Sequence, residues 1–291
     1  MLLKDYLQNT SALLESHLDR IMPESSLPYY TLFSAARYSL LGGGKRLRPI
    51  LLLSTAEALG APLNKALSAA SAVELVHTYS LIHDDLPCMD DDNFRRGKPS
   101  LHKAFSEAHA VLAGDFLLSY AFELLADDTE LTAEQRVKLV AILAKGCGGN
   151  GMIGGQVLDI EAEGREIDLA ALQTIHHHKT GALITASILM GAIVADAQEA
   201  DLTALKEYGN ALGLAFQIMD DVLDIRSSVE KHGKTTSSDL ANNKTTYATL
   251  LGLEKAQSVA TGLIHAAKVH LSRVSGSTEQ LENLADFVIN R

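Results

Sequence analysis

Two acidic stretches, each at the end of an apolar helix, carry the strongest chemical signal in the sequence. The first runs from His83 to Asp92 and contains five aspartates, and the second runs from Asp220 to Asp224. The first and last aspartates of the second stretch share one helix face with Gln217. Carboxylates crowded at a buried helix end repel one another unless cations neutralise them, and hard oxygen ligands favour Mg²⁺. We predict that the two clusters face each other across a cavity and bind Mg²⁺, although the first stretch alone is compatible with a solvated acidic turn.

Two basic segments indicate an anionic substrate. Lys45 and Arg48 lie in a glycine-rich turn leading into a helix whose first residue is predicted to be Pro49. Backbone N–H groups and the positive end of the helix dipole favour an anion there. Arg95 and Arg96 form a second basic loop after the first acidic stretch. Acids that hold Mg²⁺ beside guanidinium groups suit a diphosphate. Each segment alone is also compatible with an unrelated surface loop.

Further candidate residues depend on these clusters for their interpretation. His77 lies two helical turns before Asp84 on nearly the same face, where it can bind a phosphate oxygen or serve a structural role. Lys179 and Thr180 begin an apolar helix, and the lysine has a functional interpretation only together with the acids. Lys234 lies in the polar segment after the second acidic cluster, which is equally compatible with a mobile surface loop and an active-site lid.

The elements that position these residues are helices. Leu and Ala recur at helical spacing, the last proline is Pro99, and no alternating strand pattern is apparent. We predict an all-α protein whose residues 1–291 form a single domain. The predicted helices, with ends accurate to about two to four residues, cover 2–20, 29–41, 49–60, 66–85, 103–126, 133–147, 151–163, 169–178, 180–195, 201–225, 245–273 and 277–290.

Composition and charge exclude several classes of protein. The sequence has 25 Lys and Arg against 36 Asp and Glu, a formal net charge of −11, which argues against a nucleic-acid partner. Two cysteines are too few for a disulfide framework and indicate a reducing compartment. The longest uncharged run, between Lys179 and Asp196, falls short of the ~20 apolar residues that a membrane span needs. The N-terminus also lacks a signal-peptide pattern. We expect a soluble, cytoplasmic protein.

The motifs together resemble the trans-isoprenyl diphosphate synthases, the polyprenyl synthetase family, and within it the bacterial farnesyl diphosphate synthases. The resemblance lies between Gly42 and Asp239, in GGGKRLRP, VELVHTYSLIHDDLPCMDDD, RRGKPS, GGQVLDIE, HKTG, FQIMDDVLD and HGKTTSSD. It implies a bundle of antiparallel α-helices around a central active-site cavity, usually in a homodimer. It also implies a reaction in which an allylic diphosphate ionises, its carbocation alkylates isopentenyl diphosphate, and a proton is lost.

The same resemblance implies a role for each candidate residue, with three Mg²⁺ in each active site. The residues implied to bind Mg²⁺ are Asp84, Asp90 and Asp220, with Asp85 and Asp224 in support. Those implied to bind the allylic diphosphate or to line the place where its cation forms are Arg95, Lys179, Thr180, Gln217 and Lys234. Those implied to bind the diphosphate of isopentenyl diphosphate are Lys45, Arg48, His77 and Arg96. The implied catalytic residues are Asp84, Asp90, Lys179 and Asp220.

The length of the product depends, in this family, on residues near the first acidic motif. Tyr79 lies five residues before Asp84, about 7 Å along the helix axis. Its ring can form a floor that stops growth at (2E,6E)-farnesyl diphosphate, or it can be ordinary core. A geranylgeranyl diphosphate synthase is the alternative enzyme, with the same chemistry and a deeper cavity. A non-catalytic subunit of a heteromeric prenyl synthase is the alternative from another class, but such subunits tend to lose one acidic cluster.

Overall fold

The computed structural model describes residues 2–23, 28–232 and 245–290 and confirms the all-α prediction. Within these ranges the strands are limited to a two-residue antiparallel pair, β1 Phe94–Arg95 and β2 Lys98–Pro99. The helices are α1 Leu3–Ile21, α2 Tyr30–Leu40, α3 Leu47–Ala58, α4 Leu63–Asp84, α5 Leu101–Ala104, α6 Glu107–Ala126, α7 Ala133–Cys147, α8 Met152–Ala162, α9 Leu169–His176, α10 Ala182–Val194, α11 Glu199–His232, α12 Tyr247–Leu251, α13 Leu253–Leu271 and α14 Glu279–Asn290.

The start of α3 differs from the prediction. The helix begins at Leu47, so Pro49 is its third residue and not its first. Arg46 precedes the helix in the left-handed conformation, with φ 49°. Proline is tolerated at this position because the N–H groups of the first helical turn have no partner within the helix.

Two predicted helices are each divided in two. The predicted helix 103–126 ends as α5 and restarts as α6 at Ser106, whose hydroxyl accepts a hydrogen bond from the His109 N–H and caps the new helix. The predicted helix 245–273 is interrupted at Gly252, which has φ 82°, a conformation that glycine adopts without a steric penalty. Both breaks depend on single residues within otherwise helical patterns.

Two helices predicted as separate are joined. A single π-helical turn, His177–Gly181, connects α9 to α10 without a loop. Such turns are rare and frequently occur at functional sites. Here the turn contains Lys179 and Thr180, which the sequence analysis selected for their chemistry.

In the part of the chain that the structure describes, the hydrophobic core consists of two clusters that share helices. One cluster surrounds α4 and the other surrounds α11. Both α3 and α10 contribute to the two clusters, so they connect the two halves of the bundle. Within the described chain, α6 is the one helix long and apolar enough to cross a membrane by length and composition. Because α6 packs along α4 and is a single such helix, it is weak evidence for a span.

Candidate active site

Two adjoining cavities of opposite character lie beside α4. The first has a volume of about 440 Å³ and the second about 700 Å³. The residues that line both are Arg48, His77, Leu81 and Thr180. The charged residues that line the first are Lys45, Arg46, Arg48, Glu74, Arg95, Arg96 and Asp220. The second is mostly apolar and lies between α4, α6 and α8. An anionic group suits the first cavity, and a hydrocarbon chain suits the second.

The residues predicted to bind isopentenyl diphosphate, Lys45, Arg48, His77 and Arg96, all line the smaller cavity. The Arg48 Nη1 donates a hydrogen bond of 3.3 Å to His77 Nε2. Burial, followed by the charges of Arg48 and Arg96, holds the pKa of His77 well below its ordinary value. The imidazole is therefore neutral at pH 7 and accepts from the guanidinium, which fixes the orientation of Arg48.

The two arginines of the second basic loop separate at the β1–β2 turn. Arg96 takes φ 53°, so its side chain leaves the backbone in a different direction from that of Arg95. Arg95 Nε donates to Asp85 Oδ1 at 2.8 Å, and Arg95 Nη2 donates to Asp92 Oδ2 at 2.8 Å. Arg96 Nη1 donates to the carbonyl of Gly43. Each guanidinium is therefore held by oxygen atoms of the protein at the edge of the smaller cavity.

The first acidic cluster divides between the cavity and the protein interior. Asp84, the last residue of α4, lines the larger cavity. Burial raises the pKa of its carboxyl to about 6; the charge of Lys179 opposes this rise, and the charge of Asp90 adds to it. Asp90 is exposed, and its backbone N–H donates to the Asp84 carbonyl at 2.9 Å. Asp85 is buried against Arg95 and lines neither large cavity. The two adjacent aspartates thus have different surroundings.

The second acidic cluster divides in a similar way. Asp220 lines the smaller cavity, and Asp224, one helical turn further along α11, is exposed. Between them, Asp221 is buried and accepts hydrogen bonds from Gln217 Nε2 at 3.2 Å and from the Tyr247 backbone N–H at 3.1 Å. Asp221 therefore connects α11 to α12 and fixes the Gln217 amide.

Thr180 and Gln217, predicted to line the place where the cation forms, are in direct contact. Thr180 Oγ1 donates to Gln217 Oε1 at 2.7 Å. Because the Gln217 amide nitrogen is committed to Asp221, the amide oxygen faces the threonine, and the hydroxyl must donate its proton. The lone pairs of the hydroxyl oxygen then remain available, and Thr180 lines both cavities.

Lys179 is held by an acid that the sequence analysis did not assign. Its Nζ donates to Asp159 Oδ2 at 2.6 Å, joining the π-helical turn to α8. The ammonium also acts on the Asp84 carboxylate across the larger cavity. Asp159 is the aspartate of the GGQVLDIE motif, so the motif itself was the available signal. Lys234, which was predicted to bind the allylic diphosphate together with Lys179, lies outside the described residues.

The carboxylates of the two acidic clusters are arranged to bind Mg²⁺ together with a substrate. No group of three or more His, Cys, Asp or Glu side chains within the described residues is close enough to hold an ion by itself. Mg²⁺ commonly binds one or two protein carboxylates and completes its shell with water and substrate phosphate oxygens. The second acidic cluster was predicted near a helix end, but α11 continues to His232, so Asp220 lies within it. Asp84, at the end of α4, and Asp220 line two adjoining cavities that share Arg48 and His77, an arrangement that fits that mode. Because burial raises the pKa of the Asp84 carboxyl, a bound cation would favour its charged form.

Tyr79 lines the larger cavity from α4 and is only 5% exposed. Its ring packs edge-on against His83, with 5.6 Å between ring centroids. Burial raises the pKa of its hydroxyl, and the hydroxyl oxygen is buried with no hydrogen-bond partner among the residues described. The ring is thus both core and cavity wall, so the two interpretations of Tyr79 are compatible.

Comparison with known proteins agrees with this architecture. The sequence profile described as Polyprenyl synthetase matches residues 30–282. A farnesyl diphosphate synthase of Bacillus subtilis (strain 168) is 44% identical over 290 residues, which cover 99% of this chain and 95% of the relative. A geranylgeranyl diphosphate synthase of Cyanophora paradoxa is 43% identical over 288 residues, which cover 98% of this chain and 95% of the relative.

Solved structures give the same result for the fold. An apo crystal structure of an FPP/GFPP synthase from Zymomonas mobilis superposes with a TM-score of 0.89 at 38% identity, covering 99% of this chain and 98% of that one. The similarity in sequence and the similarity in fold therefore both extend over almost the whole length of this chain. The chain belongs to the polyprenyl synthetase family and is a trans-prenyl diphosphate synthase.

Proposed function

We propose that the protein condenses isopentenyl diphosphate with dimethylallyl or geranyl diphosphate to form (2E,6E)-farnesyl diphosphate. The observation that carries the proposal is the pair of adjoining cavities, one lined by cations and one apolar, which share Arg48, His77 and Thr180. A diphosphate fits the first environment and an isoprenoid chain fits the second. The relatives include enzymes named for fifteen-carbon and for twenty-carbon products, so the length of the product belongs to the proposal.

The residues divide the reaction between binding and charge stabilisation. Arg95 and Lys179, with Lys234, bind the allylic diphosphate, whose carbon–oxygen bond breaks to give a carbocation. The Thr180 hydroxyl oxygen and the Gln217 amide oxygen present lone pairs to that cation. Dipoles fixed before the reaction stabilise developing charge without reorganising, which is the largest contribution to catalysis in many enzymes.

The second substrate is oriented by the other cations. Lys45, Arg48, His77 and Arg96 bind the diphosphate of isopentenyl diphosphate, so that its double bond attacks the cation. A carbon–carbon bond forms, and a proton passes to the released diphosphate, which avoids the need for a protein base. Asp84, Asp90 and Asp220, supported by Asp85 and Asp224, would hold three Mg²⁺. Bound Mg²⁺ supplies charge neutralisation for the leaving diphosphate.

We further propose that the enzyme is a cytoplasmic homodimer. Support comes from apolar side chains on the surface of α6 and α7, where Leu112 is 56% and Val137 is 69% exposed. Apolar side chains on the outer face of a helix lose contact with water when a second copy of the chain packs against them. Light scattering of the purified protein coupled to size exclusion tests this, because a monomer at micromolar concentration contradicts it.

Product analysis tests the proposed reaction. Purified protein is incubated with Mg²⁺, isopentenyl diphosphate and dimethylallyl diphosphate, with and without a chelator, and the dephosphorylated products are separated by chromatography. A farnesol peak that the chelator abolishes supports the enzyme, the metal and the chain length together. Geranylgeraniol in its place retains the mechanism and rejects the fifteen-carbon product. Absence of any product rejects the proposal in favour of a non-catalytic subunit.

A further inference from the structure

A buried carboxylate lies beneath the cations of the smaller cavity. Glu74, on α4 one turn before His77, is only 1% exposed. Its Oε1 accepts a 2.5 Å hydrogen bond from Arg46 Nη1 and lies 3.8 Å from Arg96 Nη2. Its Oε2 is buried and has no hydrogen-bond partner in the part of the chain that the structure describes. Such a residue is costly to bury, so its position requires a compensating interaction.

Glu74 is also the one Asp, Glu, Lys or Arg between Lys65 and Asp84 in the sequence. The apolar pattern of α4 therefore places a single negative charge inside the bundle, and Arg46 comes from a distant segment to meet it. The Arg46 side chain is itself buried, and its Nη2 donates to the Leu40 carbonyl at 2.7 Å. The acid and the arginine thus join α4 to the turn between α2 and α3.

Arg46 has an unusual backbone conformation at the start of α3. Its φ of 49° lies in the left-handed region, which costs a non-glycine residue energy unless the surroundings hold it there. The interactions with Glu74 and Leu40 supply that restraint. Because Arg46 is flanked by Lys45 and lies two residues before Arg48, its conformation determines how both side chains approach the cavity. Lys45 and Arg48 thus line the smaller cavity on either side of the restrained Arg46.

The charges around Glu74 lead to the same conclusion. Arg46, Arg48 and Arg96 all line one cavity, and their like charges oppose close packing. The negative charge of Glu74 stabilises the charged forms of Arg48 and Arg96, and Glu74 also forms an ion pair with Arg46. Charge interactions are strong where water is excluded. A central carboxylate therefore allows the cations to gather around a space that stays open for an anion.

We propose that Glu74 is a positioning residue for the binding of isopentenyl diphosphate, holding Arg46 and Arg96 so that Lys45, Arg48 and Arg96 form one anion site. This inference rests on the proposed function of the same cavity. Glu74 acts through the arginines and does not touch the substrate, since its carboxylate and the diphosphate are both negative and repel each other. The contribution is specific to the second substrate, because the allylic group is assigned to Arg95, Lys179 and Lys234.

Glu74→Gln keeps the shape of the side chain and removes its charge. We expect the KM for isopentenyl diphosphate to rise at least about tenfold, because a binding group displaced by about 1 Å can cost on the order of 100-fold. The KM for dimethylallyl diphosphate is expected to be unchanged. Titration calorimetry with isopentenyl diphosphate alone is expected to show the same loss of affinity. Arg46→Met is expected to reproduce the pattern, and Glu74→Asp, which keeps the charge, to recover part of the affinity.

Asp201→Asn is the matched control. Asp201 is a buried acid in α11, 4% exposed, that accepts hydrogen bonds of 2.8 Å from the backbone N–H and hydroxyl of Ser275, remote from both cavities. It is expected to lose stability without a change in either KM. An active wild type whose Glu74→Gln and Arg46→Met variants fold and keep the wild-type KM for isopentenyl diphosphate contradicts the inference. An inactive wild type instead rejects the proposed function, so the two failures are distinguishable.

Discussion

Gly155 on α8 lies directly against the backbone of Lys179 in the π-helical turn. A Cβ added at Gly155 would lie 2.1 Å from the Lys179 backbone nitrogen, far inside van der Waals contact. The neighbour is main chain, which cannot rotate away as a flexible side chain can. This close approach also brings Asp159, one turn further along α8, to the Lys179 ammonium. The position of the lysine therefore depends on the absence of a side chain at Gly155.

We expect Gly155→Ala to destabilise the protein by about 1–3 kcal/mol, the usual cost of forcing extra volume into a packed contact. Turnover is expected to fall as well, because the turn that carries Lys179 must shift. Thermal unfolding and steady-state rates measure the two effects. Gly262→Ala is the control, since Gly262 is an exposed position in the middle of α13 with nothing within 4 Å of an added Cβ. It is expected to raise stability by about 0.5–1 kcal/mol.

The two cavity-facing aspartates give a second prediction. Asp84→Ala and Asp220→Ala are each expected to lower turnover at least about 100-fold, a typical cost of losing one stabilising group. Because burial disfavours the charge of Asp84, its replacement is expected to leave the metal-free protein as stable as the wild type or more stable. Asp286→Ala, which breaks a surface ion pair with Lys268, is the control for removing an acid. Near-wild-type turnover in both cavity variants rejects the metal-binding proposal.

The sequence predicts the helices and the chemical groups of the site better than it predicts the surroundings of those groups. Periodicity predicts the helical class because each amphipathic or buried helix repeats its apolar residues along the chain. The helix breaks at Ser106 and Gly252 follow from single residues, which a repeating pattern does not resolve. The π-helical turn was missed because it inserts one residue into a continuous apolar pattern.

Spacing along the chain also failed to separate adjacent acids. Asp84 and Asp85 read alike in the sequence, yet one faces a cavity and the other is bound by Arg95. The partner comes from a different segment, so only the folded chain reveals the difference. Glu74 and Asp159 were not assigned for the same reason, since their roles depend on Arg46 and Lys179. A single charge within an apolar helix was nevertheless a signal that Glu74 would need a buried partner.

The protonation of His77 gives a prediction for stability against pH. The pKa of His77 is depressed in the folded protein, so as pH falls below about 6.5 the unfolded chain takes up the proton first. Stability from the neutral ring is therefore present above that pH and is lost below it, at up to about 1.4 kcal/mol for each pH unit. Urea unfolding of the wild type and His77→Gln is expected to show a stability difference that narrows on acidification.

The control for that measurement is His265→Gln, which removes an exposed imidazole from α13. It gives the effect of losing a histidine that is not enclosed by arginines. A stability difference between wild type and His77→Gln that stays constant from neutral to acidic pH contradicts the assignment of a neutral, buried His77. A constant difference would mean that the hydrogen bond between Arg48 and His77 does not require a neutral imidazole.

The final prediction concerns the ring that limits the larger cavity. Tyr79→Ala opens the apolar wall between α4 and α6, so the growing chain is expected to extend past fifteen carbons and geranylgeraniol is expected to appear among the dephosphorylated products. Tyr79→Phe is the matched control, because it keeps the ring and removes only a hydroxyl that has no hydrogen-bond partner among the described residues. It is expected to keep the wild-type product and its stability. The phenylalanine variant separates the volume of the ring from the effect of the hydroxyl. A longer product from Tyr79→Ala alone therefore assigns the control of chain length to the ring. An unchanged product profile in both variants places the limit elsewhere.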